Sequence, residues 1–280
     1  MHLQGIYRGL PKALTHAGLI AVGIVWIYPF IWMVASSLKT NSEYLTGGLS
    51  LLPQKLQFEN YARAWKTAHF STYFFNTVIV TLSTVALVVL LCSLTGYALG
   101  RYQFKGRILF VSAVTATMFM PKGFTIIPVY SLINAIGLNN TLLGVILAES
   151  GGAHVLFILL FMTHFRGLPK ELEESAEMDG CGFLRTFVQI MLPLSKPIIA
   201  TTAIMQFMWT WNSFLIPLVF TLGKENLRTL GVGMYQFVGE HSIDYTGMAA
   251  AASISLLPII AIFLFFQRYF VEGIAGSVKG

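Results

Sequence analysis

From Ser71 to Gly100 the chain carries no Asp, Glu, Lys or Arg. Roughly 20 apolar residues suffice for a helix to cross a bilayer, and this run is longer. Five more segments share its character: Ala17–Ala35, Ile108–Ile133, Thr141–Phe165, Pro197–Phe220 and Tyr245–Gln267. Only 11% of the 280 residues are charged, against about 25% in a soluble domain. A larger core does not explain that deficit, because a soluble surface still needs charge. The expected fold is an all-α polytopic membrane protein with six transmembrane helices in a lipid bilayer. The net charge of +6 then reports topology, and no nucleic-acid partner is expected. Cys92 and Cys181 form neither a disulfide framework nor a metal-ligand pattern.

An even number of spans puts both termini on one side. With the N-terminus cytoplasmic, the inner segments hold Arg8, Lys12, Arg101, Lys105, Arg107, Arg166, Lys170, Arg185, Lys196, Arg268 and Lys279. The outer segments hold Lys39, Lys55, Arg63, Lys66, Lys224 and Arg228. Eleven against six, with the densest cluster in a tight inner loop, places both termini in the cytoplasm. The expected organisation is a cytoplasmic N-terminus (1–16), a first span (17–36), an extracytoplasmic segment (37–70), a five-helix core (71–267) and a cytoplasmic tail (268–280). The first span follows Arg8 and Lys12 as a signal peptide would. No clean small-residue cleavage site comes after it, so it reads as a retained anchor.

Five of the twelve acidic residues fall between Glu171 and Asp179, in the inner loop at 166–196. Pro169 suits the first turn of a helix. The acids Glu171, Glu173 and Glu174 suit its positive N-terminal end. Gly180 and Gly182 are stop signals. A short cytoplasmic helix is therefore expected, with Leu172, Ser175, Ala176 and Asp179 on one face by their spacing. Small residues flanked by acids suit a docking knob, while the charge alone requires no more than a helix that stays wet. An amphipathic stretch follows, with Phe183, Phe187, Ile190 and Met191 on its apolar side and Pro193 and Pro197 ending it.

The spacing Glu174-Ser175-Ala176, three residues, Gly180, nine residues, Ile190, one residue, Leu192-Pro193 resembles the cytoplasmic signature of bacterial ABC-importer permeases. Ser175 stands where alanine is usual. Leu168-Pro169-Lys170-Glu171-Leu172, Met178-Asp179-Gly180, the run Trp211–Leu218 and Phe266-Gln267-Arg268-Tyr269-Phe270 are similar to the sugar-importer branch. The ending Gly276–Gly280 is similar to its maltose-type members. This resemblance implies a type I ABC-importer permease fold in the bacterial cytoplasmic membrane. It also implies a non-catalytic subunit that binds no cofactor, while a partner ATPase uses ATP and Mg. The implied partners are a second related permease, two ATP-binding subunits, an extracytoplasmic sugar-binding protein and an oligosaccharide or other sugar. It assigns the docking role to Leu172, Glu174, Ser175, Ala176, Glu177, Met178, Asp179 and Gly180, and a tail contact with the ATPase to Val278 and Lys279. The chain has no Gly-x-x-x-x-Gly-Lys-Ser/Thr loop, so ATP hydrolysis would fall to another subunit.

For the translocation path, a helical wheel centred on Trp209 gathers Gln206, Thr210, Asn212 and Ser213 on one broad face. A tryptophan beside amides and hydroxyls suits a sugar, and the same groups also serve helix–helix packing. Lys122 and Glu149 lie well inside spans, about 3 Å and about 6 Å outside their helix middles. Each alone is costly in lipid, so they either pair or share a hydrated cavity, or Lys122 lines the path alone. His154 and His164 lack a third metal ligand. Two rival functions remain on these residues. An ion-coupled secondary transporter would use Glu149 but leaves the acidic loop helix unexplained. An intramembrane enzyme lacks a Gly-x-Ser-x-Gly or His-Glu-x-x-His motif.

Overall fold

The computed structural model describes residues 12–67, 69–120, 122–151, 154–239 and 242–278; the side chains of Thr67, Lys122 and residues 268–278 are outside that description. The regular elements among the described residues are helices, and extended pairing is confined to an isolated bridge between Val238 and Ile243.

Among the described residues, three helices are long and apolar enough to cross a membrane unbroken: Lys12–Ser37, Phe70–Arg101 and Tyr245–Gln267. Three more apolar stretches are helix pairs bent at short breaks. Arg107–Phe119 meets Gly123–Ala135 at 106°, Leu142–Ser150 meets Val155–Gly167 at 58°, and Phe183–Leu194 meets Lys196–Trp211 at 81°. With each bent pair counted as one span, the described residues hold up to six spans, three of them bent. In the third stretch the chain tightens into 3-10 turns at Thr117–Phe119 and Lys122–Thr125 before a new helix starts at Ile126. Pro128 sits in the first turn of that helix, where its missing N–H costs nothing. In the fifth, the expected Pro197–Phe220 helix stops at Trp211 and restarts at Leu215. Asn212 ends it by giving both its backbone N–H (3.3 Å) and its side-chain amide (2.8 Å) to the Met208 carbonyl.

The chain forms two compact units. The first joins the residues through Phe70 to Met234–Leu256; the second holds Ser71–Gly233 and the residues from Leu257. The division between the units falls within the last helix, after Leu256.

In the first unit, Asp244 is a junction. Arg63 grips it with two bonds, Nε to Oδ2 (2.9 Å) and Nη2 to Oδ1 (3.0 Å). The Asn41 side-chain amide donates to Oδ1 (3.2 Å), as does the Gly247 N–H (2.9 Å). Asn41 also accepts from the Thr246 N–H (3.1 Å). One carboxylate thus caps the final helix and ties it to the short helices Asn41–Thr46 and Glu59–Thr67. Burial pushes the Asp244 carboxyl up, but bonds from Arg63, Gly247 and Asn41 outweigh it and hold it below its usual value.

In the second unit, helices Phe70–Arg101 and Val155–Gly167 approach almost backbone to backbone. A Cβ on Gly96 would stand 2.4 Å from the Phe161 Cβ and 2.9 Å from the Met162 N; one on Gly100 would stand 3.0 Å from the Met162 O. Glycines four apart permit that approach. Around it Tyr97, Phe157, Phe161, Phe165, Phe187 and Met191 form a buried cluster. A second cluster, Val80, Ile133, Val145, Ala148 and Phe220, packs separately. Asn76 donates to the carbonyls of Asn226 (2.8 Å) and Arg228 (3.0 Å), and the Leu230 N–H donates to the Thr77 hydroxyl (2.8 Å).

Two outcomes follow from these contacts. Gly96→Val should lower the thermal midpoint of the detergent-purified protein by an amount matching about 1–3 kcal/mol of overpacking. Gly18→Val should leave it unchanged, because a Cβ there meets nothing within 4 Å. Since the folded Asp244 carboxyl titrates low, its contribution is complete above the unfolded value of about 4 and is lost as pH falls through the folded one. Limited proteolysis across the 41–63 segment should therefore accelerate in acid. Asp244→Asn should be cut faster already at neutral pH, with a flatter pH dependence.

Candidate functional site

The acidic stretch folds as a helix, Glu171–Met178. It ends in a left-handed glycine: Gly180 has φ of 75°, its N–H reaches the Glu177 carbonyl (2.9 Å), and the Cys181 N–H reaches the Ala176 carbonyl (2.8 Å). That double closure is a Schellman motif, and glycine adopts it without Cβ strain.

Burial divides the helix in two. Leu172 and Glu173 are half-buried and Ala176 is 3% exposed, whereas Glu174, Ser175, Glu177, Asp179 and Gly180 are open and Met178 is 88% exposed. On a wheel of about 100° per residue, Glu171, Glu174, Ser175 and Met178 fall within about 100° of one another. The face expected from spacing, Leu172–Ser175–Ala176–Asp179, does not exist as one surface. Ala176 turns inward and Ser175 outward, because Leu172, Glu173 and Ala176 make the packed stripe. The open face is a methionine tip among acids.

What holds the inner stripe is Arg101, at the end of the Phe70–Arg101 helix. Its side chain is 5% exposed and pairs with Glu173 through Nε (2.5 Å). Nη1 donates to the carbonyls of Leu168 (2.8 Å) and Phe165 (3.2 Å), and Nη2 to Pro169 (3.1 Å). One guanidinium therefore satisfies the C-terminal carbonyls of the Val155–Gly167 helix, fixes the Leu168-Pro169 entry and anchors the acidic helix. The sequence reading used Arg101 only as a topology charge. The glycine pair Gly96 and Gly100 immediately before it is the sequence signal from which a close helix contact here could have been read.

The next segment is seated on the same helix. Tyr97 stacks on Phe187 (ring centroids 5.4 Å, 29°), and Phe183 lies 5.1 Å from Tyr97 and 5.2 Å from Tyr102. Phe187 and Met191 are buried, as expected of an apolar side; within it Phe187–Met191 winds as a π-helical turn.

The polar groups of the fifth span do not share one surface. Gln206 is 1% exposed and its amide N–H donates to the Thr210 hydroxyl (2.9 Å) inside the packing, while its Oε1 is buried without a hydrogen-bond partner among the described residues. Trp209 is 43% exposed, with a stacked contact to Phe157 (5.2 Å, 24°). Asn212 is exposed as the helix terminator, and Ser213 lies beyond the helix, where the wheel no longer applies. Glu149 is half-buried next to the bend of the fourth stretch, with its carbonyl 3.3 Å from the His154 Nε2. His154 stacks on Phe157. The side chain of Lys122 lies outside the described residues, so the expected Lys122–Glu149 pairing does too. The tail residue Lys279 lies outside them as well, and of Val278 the backbone alone is described, in the last helix.

Residues 71–276 match the family model described as "Binding-protein-dependent transport system inner membrane component". The chain is 38% identical to the probable ABC transporter permease protein YurM of Bacillus subtilis, over 90% of this chain and 84% of that one. It is 36% identical to the diacetylchitobiose uptake system permease protein NgcG of Streptomyces coelicolor, over 95% and 87%. It is 33% identical to the trehalose/maltose transport system permease protein MalG of Thermococcus litoralis, over 97% and 98%. A chain from the crystal structure of a bacterial ABC transporter involved in alginate import superposes with a TM-score of 0.81 at 24% identity, covering 92% of this chain and 96% of that one.

Removing Arg101 would take from Glu173 its ion pair and from the Phe165, Leu168 and Pro169 carbonyls their side-chain donor. Arg101→Ala should cost about 3–5 kcal/mol, the usual penalty for breaking a buried pair. Hydrogen exchange of residues 168–180 should rise most. Adding Glu173→Gln should restore part of the loss, because it removes the stranded charge.

Proposed function

Because the chain belongs to the family of inner-membrane components of binding-protein-dependent transport systems, we propose that it is one permease half of an ATP-driven sugar importer, docking its ATPase through the open face of Glu171–Met178. The observation that carries the docking role is the pairing of opposites on that helix. Met178 is 88% exposed, while the back of the helix is fixed by Arg101 to two membrane helices. An exposed methionine is adaptable and apolar, suited to a cleft. Glu171, Glu174 and Glu177 around it steer a basic rim. A helix gripped from behind passes displacement onward instead of absorbing it. Movement received at Met178 reaches the Phe70–Arg101 helix through Arg101, and the Phe183–Met191 segment through the Tyr97 aromatic contacts.

Sugar as the substrate is supported by relatives named for diacetylchitobiose and for trehalose and maltose. In this reading the partners are a second permease, two ATP-binding subunits that hydrolyse ATP with Mg, and an extracytoplasmic sugar-binding protein. The chain lies in a bacterial cytoplasmic membrane with both termini inside. Trp209, Asn212 and Ser213 supply the sugar-facing groups of the path. Gln206 and Thr210 contribute by holding the helix that carries them, and Lys122 and Glu149 lie along the same route. Val278 and Lys279 extend toward the ATPase. The relatives named above give the ion-coupled alternative no support.

The test is purification of the complex in mild detergent and identification of its subunits. The wild-type chain should carry an ATPase. Met178→Glu and Glu174→Lys should each lose it at least about tenfold, as a hot-spot loss of about 1.4 kcal/mol or more implies, with membrane insertion unchanged. Equal ATPase recovery with both variants would overturn the docking role.

A further inference from the structure

The chain that leaves the anchor helix Lys12–Ser37 turns back along it. The Tyr28 hydroxyl donates to the Leu49 carbonyl (2.7 Å) and the Trp32 indole to the Gly48 carbonyl (3.4 Å). Tyr28 lies nine residues before Ser37, so at about 1.5 Å per residue the loop reaches roughly 13 Å back from the helix end. That end of the helix belongs to a span, and the loop has returned to the depth of its outer turns.

Several of the loop's backbone groups are answered from within. Three successive carbonyls, Gly48, Leu49 and Ser50, accept from Trp32, Tyr28 and the ammonium of Lys39, which is itself buried. The N–H groups of Gly47, Ser50, Gln54 and Gln57 bond to Glu43, Gly47, the Glu43 side chain and Leu38. The side chains do the reverse. Leu45, Leu49, Leu52 and Phe58 point out, Leu49 at 73% and Leu52 at 83% exposure. Between Tyr44 and Phe58 the sequence has a single charge, Lys55. A loop in water shows polar side chains and lets water bond its carbonyls. A loop in lipid must satisfy its backbone internally and show apolar side chains.

We propose that residues 45–58 form an interfacial membrane contact, with Leu45, Leu49 and Leu52 seated at the headgroup–acyl boundary of the leaflet from which the anchor helix emerges. Tyr28 and Trp32 act as its tethers, and Lys55 reaches to the phosphate level. The contact fixes the depth of the anchor helix. It rests on that helix spanning the bilayer and not on the ATPase partnership.

Spin labels at Leu49→Cys and Leu52→Cys, with Lys66→Cys as a water-facing control and Cys181→Ser in the background, test this in the full chain in lipid nanodiscs. Relaxation by oxygen should exceed relaxation by a water-soluble nickel chelate at 49 and 52, and the order should reverse at 66. Tyr28→Phe should shift the label at 49 toward nickel. Nickel-dominated relaxation at both loop sites would overturn the proposal. So would shielding from both reagents, which would mean that a protein surface covers the loop.

Discussion

A guanidinium that is 5% exposed and engages four acceptors between Phe165 and Glu173 is the fixed point of the second unit. Arg101 caps the Val155–Gly167 helix through the Phe165 and Leu168 carbonyls, and it anchors the strongly acidic helix of an apolar protein. Lysine does not substitute for it geometrically, because a point ammonium lacks the planar fork that reaches Glu173 on one edge and three carbonyls on the other. The close approach that makes this reach possible is set one and five residues earlier, where Gly100 and Gly96 let the Phe165 end of the neighbouring helix come near. Packing, capping and the presentation of the acidic helix are one arrangement.

The first unit repeats the principle with the opposite sign. Asp244 is a carboxylate that caps a helix and is gripped bidentately by Arg63. In both units a membrane helix ends on a charged side chain that also ties down a neighbouring loop. Bilayer cores supply no donors or acceptors, so helix ends and loops near them must bring their own. The loop that runs back along Tyr28 and Trp32 obeys the same rule.

The number and order of apolar stretches were legible, because hydropathy over a span-length window averages many residues. The bends were not. Pro128 was visible, but proline in a first helical turn neither breaks nor bends that helix by itself, and its effect depends on the 3-10 turns ahead of it. The acidic helix and its glycine stop followed from local chemistry. Which flank faced inward did not, since Ser175 and Ala176 are both small and their order of burial is decided by the Arg101–Glu173 pair from a distant part of the chain. On the fifth span, a wheel drawn through Ser213 assumed a helix that Asn212 had already ended. Arg101 itself was countable as a charge and invisible as a clamp, because its partners are backbone carbonyls that no residue type announces.

The central claim is that the acidic helix transmits movement because Arg101 holds it rigidly to the membrane helices. The most direct measurement is the ratio of sugar uptake to ATP hydrolysis in proteoliposomes carrying the assembled transporter with Arg101→Lys. This variant keeps the charge and loses the fork. The account predicts that hydrolysis and ATPase docking persist while uptake per ATP falls several-fold. An unchanged ratio, with the variant folded and the ATPase bound, would contradict it.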